Sequence, residues 1–90
     1  MTDSIRQQIR DHIVETWLNG DARGFDDEVD LQLAGILDSF TTLALASHLD
    51  ETFKIAIEPI EINAETFQTV RSLATLVQSK LEEARGTLGQ

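Results

Sequence analysis

The sequence contains no cysteine and no long apolar run. Without cysteine, the chain can form neither a disulfide framework nor a thiolate site for metal or redox chemistry. No apolar stretch approaches the roughly 18 residues that a membrane-spanning helix requires. The first residues do not place a basic stretch before an apolar one, so we expect no signal peptide and a cytoplasmic location.

Basic residues are also scarce. Seven lysines and arginines stand against 16 aspartates and glutamates, which gives a formal net charge of −9 at pH 7. Phosphate backbones and anionic membrane surfaces repel such a chain, so neither nucleic acid nor a membrane is an expected partner. The same charge favours solubility, a monomeric state and docking onto enzymes with basic patches.

The chain does contain the apolar spacing that is typical of helices. Apolar residues recur at helical intervals over about residues 4–18, from Asp38 or Ser39 to about residue 53, and from Thr69 to about residue 82. A further short helix is expected within residues 60–67. This pattern predicts an all-α bundle of three longer helices and one short helix, with a long first loop.

The length of 90 residues predicts a single domain over residues 1–90, with its core at about residues 4–82 and a flexible tail at residues 83–90. In the second helix, Leu45 is expected to lie off the buried face and to be partly exposed. The residues predicted on that buried face are Phe40, Leu43, Ala44, Ala46, Leu49 and Phe53.

Two stretches show no helical period. Residues 19–35 are rich in glycine and acids, and a loop of this length is usually functional or pinned to the core by its apolar residues. Residues 54–63 contain alternating isoleucines, which taken alone suggest a strand. Because Pro59 interrupts the pattern and no second strand is available for pairing, we prefer a loop whose isoleucines fill the gap between helices.

Catalysis and metal binding find little support in the sequence. His12 and His48 lie far apart along the chain, and each is expected at a helix surface or half-buried. His12 and Glu15 have helical spacing for a metal, but two ligands make a weak site. The acids of residues 26–30 alternate like those at the start of a calcium-binding loop. The glycine and the glutamate that such a loop requires are absent here. No nucleophile–base pair can be assembled, so we expect neither an enzyme nor a metal site.

One local arrangement, at residues 33–43, points to a different chemistry. A loop containing Gly35 leads to Asp38 and then to Ser39 at the start of a helix. Backbone N–H groups and the helix dipole at this end favour a phosphate. A serine placed there is exposed and suited to become a phosphodiester. On the local geometry alone, an ordinary serine N-cap is the simpler interpretation.

Two blocks of residues extend the argument across the chain. Gly35-Ile-Leu-Asp-Ser-Phe resembles the acyl carrier protein motif that precedes helix two, and Phe67-Gln-Thr-Val-Arg-Ser-Leu73 resembles the family's entry into its last helix. Each block alone is weak evidence for the family, whereas the two blocks at this separation in an acidic helical chain are fairly specific for it. The resemblance covers about residues 5–82. It implies a stand-alone phosphopantetheine-binding carrier with an acyl-carrier-like four-helix bundle.

For the chemistry, the resemblance implies that Ser39 receives 4′-phosphopantetheine from coenzyme A through a phosphopantetheinyl transferase. Asp38 and Phe40 would flank the modified serine, and Leu43 would face partner enzymes or the core. The arm would supply the thiol that this sequence lacks, so that a loading ligase could attach acyl or aminoacyl groups as thioesters for downstream enzymes. The alternative is a helical protein-interaction module that has the carrier fold but no arm.

The sequence departs from the family early in helix two. Phe40 stands where most members have leucine or methionine, and residues 41–46 contain no charge. Docking of partners would therefore depend on apolar contacts such as Leu43, or on acids of the first loop. Those acids are Asp26, Asp27, Glu28 and Asp30. A specialised carrier is expected, either of a secondary-metabolite pathway or charged with an amino acid, while the cargo itself cannot be identified from these residues.

Overall fold

The computed structural model describes residues 2–88, with side chains from residue 4 to residue 84. It contains three α-helices, α1 (Thr2–Trp17), α2 (Ser39–Phe53) and α3 (Val70–Leu88), and a 3₁₀ helix at Pro59–Glu61 between α2 and α3. No strand occurs within the described residues. The predicted all-α arrangement is confirmed, and the isoleucine stretch is not a strand. The short helix lies at Pro59–Glu61 rather than wholly within residues 60–67 as predicted.

The core lies mainly between α1 and α3, which make the most extensive contact between helices. Ile5, Ile9 and Ile13 form the buried stripe of α1 at intervals of four residues, and Leu73 and Val77 of α3 are completely buried. Full burial of one such aliphatic side chain contributes about 1.5–3 kcal/mol. Burial of these side chains therefore holds α1 and α3 together.

Helix α3 begins where the sequence indicated and continues beyond the predicted end. Thr69 is its cap, because the Ser72 N–H donates to the Thr69 hydroxyl and the Thr69 N–H donates to the Ser72 hydroxyl, both at 3.0 Å. The helix extends to Leu88 and so includes much of the predicted flexible tail, while residues 89 and 90 lie outside the described residues. The apolar spacing missed this extension because residues 82–84 are strong helix formers without an apolar stripe.

Helix α2 presents a different face to the core than its apolar spacing suggested. Leu45, predicted to be partly exposed, is 0% exposed, whereas Phe40 and Leu43, predicted to be buried, are 77% and 58% exposed. At 3.6 residues per turn, Leu43 lies roughly 160° around the helix from Leu45, so both cannot face the core. Since Leu49 is also completely buried, packing selects the face shared by Leu45 and Leu49.

The first loop is held against the two long helices. Phe25 and Leu31 are buried, as expected for side chains that pin the loop, whereas Leu33 is 88% exposed. The Leu31 N–H donates to the Gln68 carbonyl oxygen at 2.7 Å, and the Arg71 N–H donates to the Asp27 carbonyl oxygen at 3.2 Å. These bonds join both halves of the loop to the beginning of α3.

The segment after α2 fills the gap between helices with only part of its isoleucines. Ile57 is buried, and Asp50 fixes it by accepting a hydrogen bond from its N–H at 2.9 Å. Ile60 instead is 82% exposed on the 3₁₀ helix. That helix is held to α3 by the ion pair between Glu61 and Lys80, whose atoms are 3.0 Å apart.

Candidate functional site

The start of α2 is defined by a reciprocal cap. Asp38 has an extended backbone conformation, and its carboxylate accepts hydrogen bonds from the Phe40 and Thr41 N–H groups at 2.9 and 2.8 Å. The Thr41 hydroxyl in turn accepts a hydrogen bond from the Asp38 N–H at 2.8 Å. The sequence left Asp38 and Ser39 as equal candidates for the cap. The structure gives that role to Asp38.

Ser39 is consequently the first residue of the helix, and its hydroxyl is not needed for capping. The side chain is exposed, and within the described part of the chain its hydroxyl has no hydrogen-bond partner. The Asp38 carboxylate lies at the positive end of the helix dipole, and the first turn of α2 itself contains no acidic residue. A free hydroxyl beside this positive end suits attachment of a phosphate group.

The turn before α2 brings the chain into this position. Asp30 accepts hydrogen bonds from the Gln32 and Leu33 N–H groups, both at 3.0 Å, and the Ile36 and Leu37 N–H groups both bond to the Leu31 carbonyl oxygen. Gly35 lies within this turn at φ 78°, a left-handed conformation that glycine adopts without strain. The glycine of the motif therefore serves the turn geometry.

A surface groove of about 490 Å³ opens beside Ser39. Asp38, Ser39, Thr42 and Leu43 form its α2 side, and residues 62–64 form the opposite side, with Leu37 and Gln32 also lining it. Gln32 Nε2 donates to the Ala64 carbonyl oxygen at 3.4 Å, which connects the first loop to the far wall. The groove thus combines apolar side chains with amide and hydroxyl groups next to the free serine.

The far wall of the groove is held by Asn63. Its side-chain oxygen accepts hydrogen bonds from the Glu65 and Thr66 N–H groups at 2.9 Å, and its amide nitrogen donates to the Ile60 carbonyl oxygen at 3.1 Å. Sequence reasoning did not identify this residue, because no local pattern indicates that residues 62–64 face the beginning of α2. Thr41 was also missed, although its position three residues after Asp38 is the spacing of a capping box.

Hydrogen bonding also sets the ionisation of Asp38. The Thr41 N–H and the Thr41 hydroxyl hold the pKa of Asp38 below its ordinary value. Hydrogen bonds to a carboxylate stabilise its charged form. Asp38 therefore remains an anion, and an acceptor for the helix N–H groups, at neutral pH.

Two flanking residues of the site point away from the core. Phe40 and Leu43 are exposed on α2, and Leu33 and Ile60 are the other large apolar side chains exposed in the described part of the chain. Because they lie three residues apart on α2, Phe40 and Leu43 are neighbours on its surface.

The acids of the first loop are largely engaged within the molecule. Asp27 forms ion pairs with Arg6 and Arg10 of α1, and Glu28 pairs with Arg71 of α3. Asp27 Oδ1 is buried and accepts no hydrogen bond, with Arg10 at 3.6 Å. These contacts indicate that both acids hold the loop in place.

The other two loop acids shape the backbone around them. Asp30 caps the turn described above, and its second carboxylate oxygen accepts a hydrogen bond from Gln68 Nε2 at 3.2 Å. Asp26 is exposed and accepts a hydrogen bond from the Glu28 N–H at 2.8 Å. Of the four acids, Asp26 has the fewest side-chain partners and is the most available for an outside cation.

The described residues give no sign of a metal centre. No three histidine, aspartate or glutamate side chains among them converge where a metal could bind. None of the helices in residues 2–88 combines the length and the apolar character needed to cross a bilayer.

Comparison with known proteins places the geometry in a family. The family model of the phosphopantetheine attachment site matches residues 7–77. A D-alanyl carrier protein of Lactococcus lactis subsp. cremoris is 35% identical over 79 residues, covering 88% of this chain and 99% of the relative. The probable acyl carrier protein PigG of a Serratia species is 31% identical over 74 residues, covering 82% of this chain and 85% of the relative. A D-alanyl carrier protein of Lactobacillus delbrueckii subsp. bulgaricus is 31% identical over 77 residues.

Proposed function

Since this chain belongs to the phosphopantetheine attachment family, we propose that Ser39 is the attachment residue and that the protein presents acyl or aminoacyl groups to partner enzymes. The protein is a carrier rather than an enzyme, and its covalent prosthetic group is 4′-phosphopantetheine. One observation carries the assignment of the site. Ser39 is exposed at the first residue of α2 with an unpaired hydroxyl, because Asp38 provides the cap.

The residues around Ser39 fit a phosphate-linked group. Ser39 lies at the N-terminal end of α2, where the helix dipole is positive and a phosphate is favoured. The groove beside Ser39 offers apolar contacts from Leu37 and Ile62 and polar contacts from Gln32 and Asn63. When attached, the arm supplies the thiol that holds the cargo. Asp38 keeps the helix start in place so that Ser39 remains accessible.

Partner enzymes are proposed to dock on the apolar side chains of Phe40 and Leu43, which we call the apolar face. This surface is supported by the exposure of both side chains and by their spacing of three residues on α2. The loop acids are proposed to contribute less to docking, because Asp27, Glu28 and Asp30 already have partners within the molecule. The transferase, a loading ligase and the downstream enzymes are the proposed occupants.

The proposed cargo is an aminoacyl group, transferred in a specialised pathway. Two relatives named D-alanyl carrier protein support this choice. We also propose that residues 1–90 form a single carrier domain that is cytoplasmic and monomeric. The net charge of −9 supports the monomeric state because it opposes self-association. Intact-mass measurement of protein recovered from the cells that make it would identify the loaded group.

The attachment site is tested by modification in vitro. Purified protein would be incubated with coenzyme A and a promiscuous phosphopantetheinyl transferase, and its intact mass measured. We expect the wild type to gain one phosphopantetheine and Ser39→Ala to gain none. Ser47→Ala is the matched control, because Ser47 is also an exposed serine of α2, and it should be modified like the wild type.

Two results would contradict the proposal in different ways. Continued modification of the folded Ser39→Ala variant would move the attachment to another residue. An unmodified wild type, with its helical circular dichroism intact and several transferases tried, would favour the interaction module without an arm.

A further inference from the structure

His12 of α1 and His48 of α2 face each other across the bundle. Their ring centroids are 3.5 Å apart and their planes are inclined by only 6°, so the two imidazoles are stacked. Both side chains are half-buried. The proposed carrier function makes no use of this contact.

The neighbours of the stack fix the orientation of both rings. The Thr16 hydroxyl lies 3.4 Å from His12 Nδ1, and the Thr52 hydroxyl lies 3.2 Å from His48 Nε2, each one helical turn further along its helix. Trp17, the single tryptophan of the chain, contacts His12 edge-on with ring centroids 5.7 Å apart. A hydroxyl can donate to a neutral ring nitrogen or accept from a protonated one, so these partners permit either charge state.

The charges around the stack are few. Glu15 of α1 is the carboxylate that acts on His12, and on α2 Glu51 lies three residues after His48. On α3, which packs along α1, Arg71 and Lys80 are already engaged with carboxylates. Those partners are Glu28 for Arg71, and Glu61 and Glu83 for Lys80.

We propose that the His12–His48 stack is an acid-sensitive contact that holds α2 against α1 while the rings are neutral and loosens α2 when both are protonated. Two imidazolium rings stacked at 3.5 Å would place like charges in contact, in a half-buried position where water screens them weakly. Helix α2 carries Ser39 at its first residue. Loosening α2 would therefore change how the attachment site is held.

The direction in which stability changes with pH follows from the lowered pKa of His12. Burial lowers the pKa of His12 below 6.5, the positive charge of His48 lowers it further, and Glu15 acts in the opposite direction. The folded protein thus resists protonation of this ring more than the unfolded chain does. Its contribution to stability is complete above the unfolded-state pKa of about 6.5. That contribution is lost as the pH falls through this value towards the lower pKa of the folded state.

The coupling between the rings can be read from Trp17, because a protonated imidazole quenches the fluorescence of an adjacent indole. In a titration of the wild type we expect a quenching transition with a midpoint below 6.5, the ordinary histidine value. In His48→Gln the midpoint should move up, since the like charge is removed. His12→Gln is the control and should show no transition. Equal midpoints in the wild type and His48→Gln would overturn the coupling.

The loosening of α2 is tested by amide hydrogen exchange at about pH 7.5 and about pH 5.5, corrected for the intrinsic rate. We expect protection of α2 amides in the wild type to fall at the lower pH, because the unfolded chain binds protons there more readily than the folded protein does. His12→Phe with His48→Phe retains aromatic stacking without titration, and its protection should stay constant. The same loss in this variant would overturn the proposal. Neither measurement uses coenzyme A or a transferase, so the assignment of Ser39 is tested separately.

Discussion

At the scale of single residues, the site depends on a division of tasks between neighbours. Asp38 accepts the hydrogen bonds of the first helical turn, which leaves the Ser39 hydroxyl without a structural role. A serine that served as the cap would have its oxygen occupied by a backbone N–H. The pair Asp38 and Ser39 therefore explains how a helix start can be both well held and chemically available.

This division of tasks predicts that two substitutions of Asp38 differ in how much stability they remove. Asp38→Ala should lower the thermal unfolding midpoint by about 4–8 °C at neutral pH, because the cap is lost. Asp38→Asn should retain most of the stability, since the amide oxygen can accept the same bonds. Circular dichroism melting curves would measure both. An equally large loss in Asp38→Asn would mean that the negative charge, rather than the hydrogen bonds, stabilises the helix start.

The same residue has a defined pH dependence. Because the pKa of Asp38 is lowered in the folded state by its bonds from Thr41, its contribution to stability is present above the ordinary aspartate pKa of about 3.9. It is lost as the pH falls through the lower folded value. The stability difference between the wild type and Asp38→Asn should therefore decrease in acid.

At the scale of structural elements, the first loop is a folded connection rather than a loose one. Leu31 is completely buried and its N–H is bonded to Gln68, whereas Leu33, two residues later, is exposed. The ion pairs of Asp27 with α1 and of Glu28 with α3 hold the same loop from its other half. The loop ends in the turn that leads to α2, so its packing helps to place Ser39.

Leu31 and Leu33 offer a matched test of this anchoring. Leu31→Ala should lower the free energy of unfolding by about 2–5 kcal/mol, the usual cost of truncating a buried leucine. Leu33→Ala should change it by less than about 0.5 kcal/mol. Urea unfolding followed by circular dichroism would measure both. A small effect of Leu31→Ala would show that the loop can detach without affecting the core.

At the scale of the whole molecule, strong acidity and an apolar face coexist. The net charge is −9, yet three of the four loop acids have partners within the molecule, and the large exposed apolar side chains include Phe40 and Leu43, which flank Ser39. Long-range attraction to basic enzymes and short-range docking can therefore come from different parts of the surface.

The apolar face predicts which substitution impairs recognition by the transferase. Leu43→Ser should raise the KM for this protein by roughly tenfold, which corresponds to a loss of about 1.4 kcal/mol of binding free energy. Asp26→Asn removes the most available loop charge and should change the KM by less than about threefold. Initial rates of coenzyme A-dependent modification would measure both, with circular dichroism as the check on folding. A larger effect of Asp26→Asn would assign docking to the loop acids.

Local patterns in the sequence already determined most of the helices. The spacing of Ile5, Ile9 and Ile13 predicted α1, and the run from Val70 to Val77 predicted α3. These predictions depend on residues within one or two helical turns, where spacing and capping chemistry are sufficient. The proposal of Ser39 as the attachment residue came instead from two blocks, at residues 35–40 and 67–73, that together resemble one family.

Only the tertiary structure decided how α2 is turned and what it contacts. Its apolar residues occur on several sides, so spacing alone could not choose between Leu43 and Leu45 for the core. The partners of Asp27, the wall of the groove at Asn63 and the stacking of His12 on His48 likewise join residues that are distant in sequence. Such contacts arise because packing must satisfy all elements at once, and no single segment carries that information.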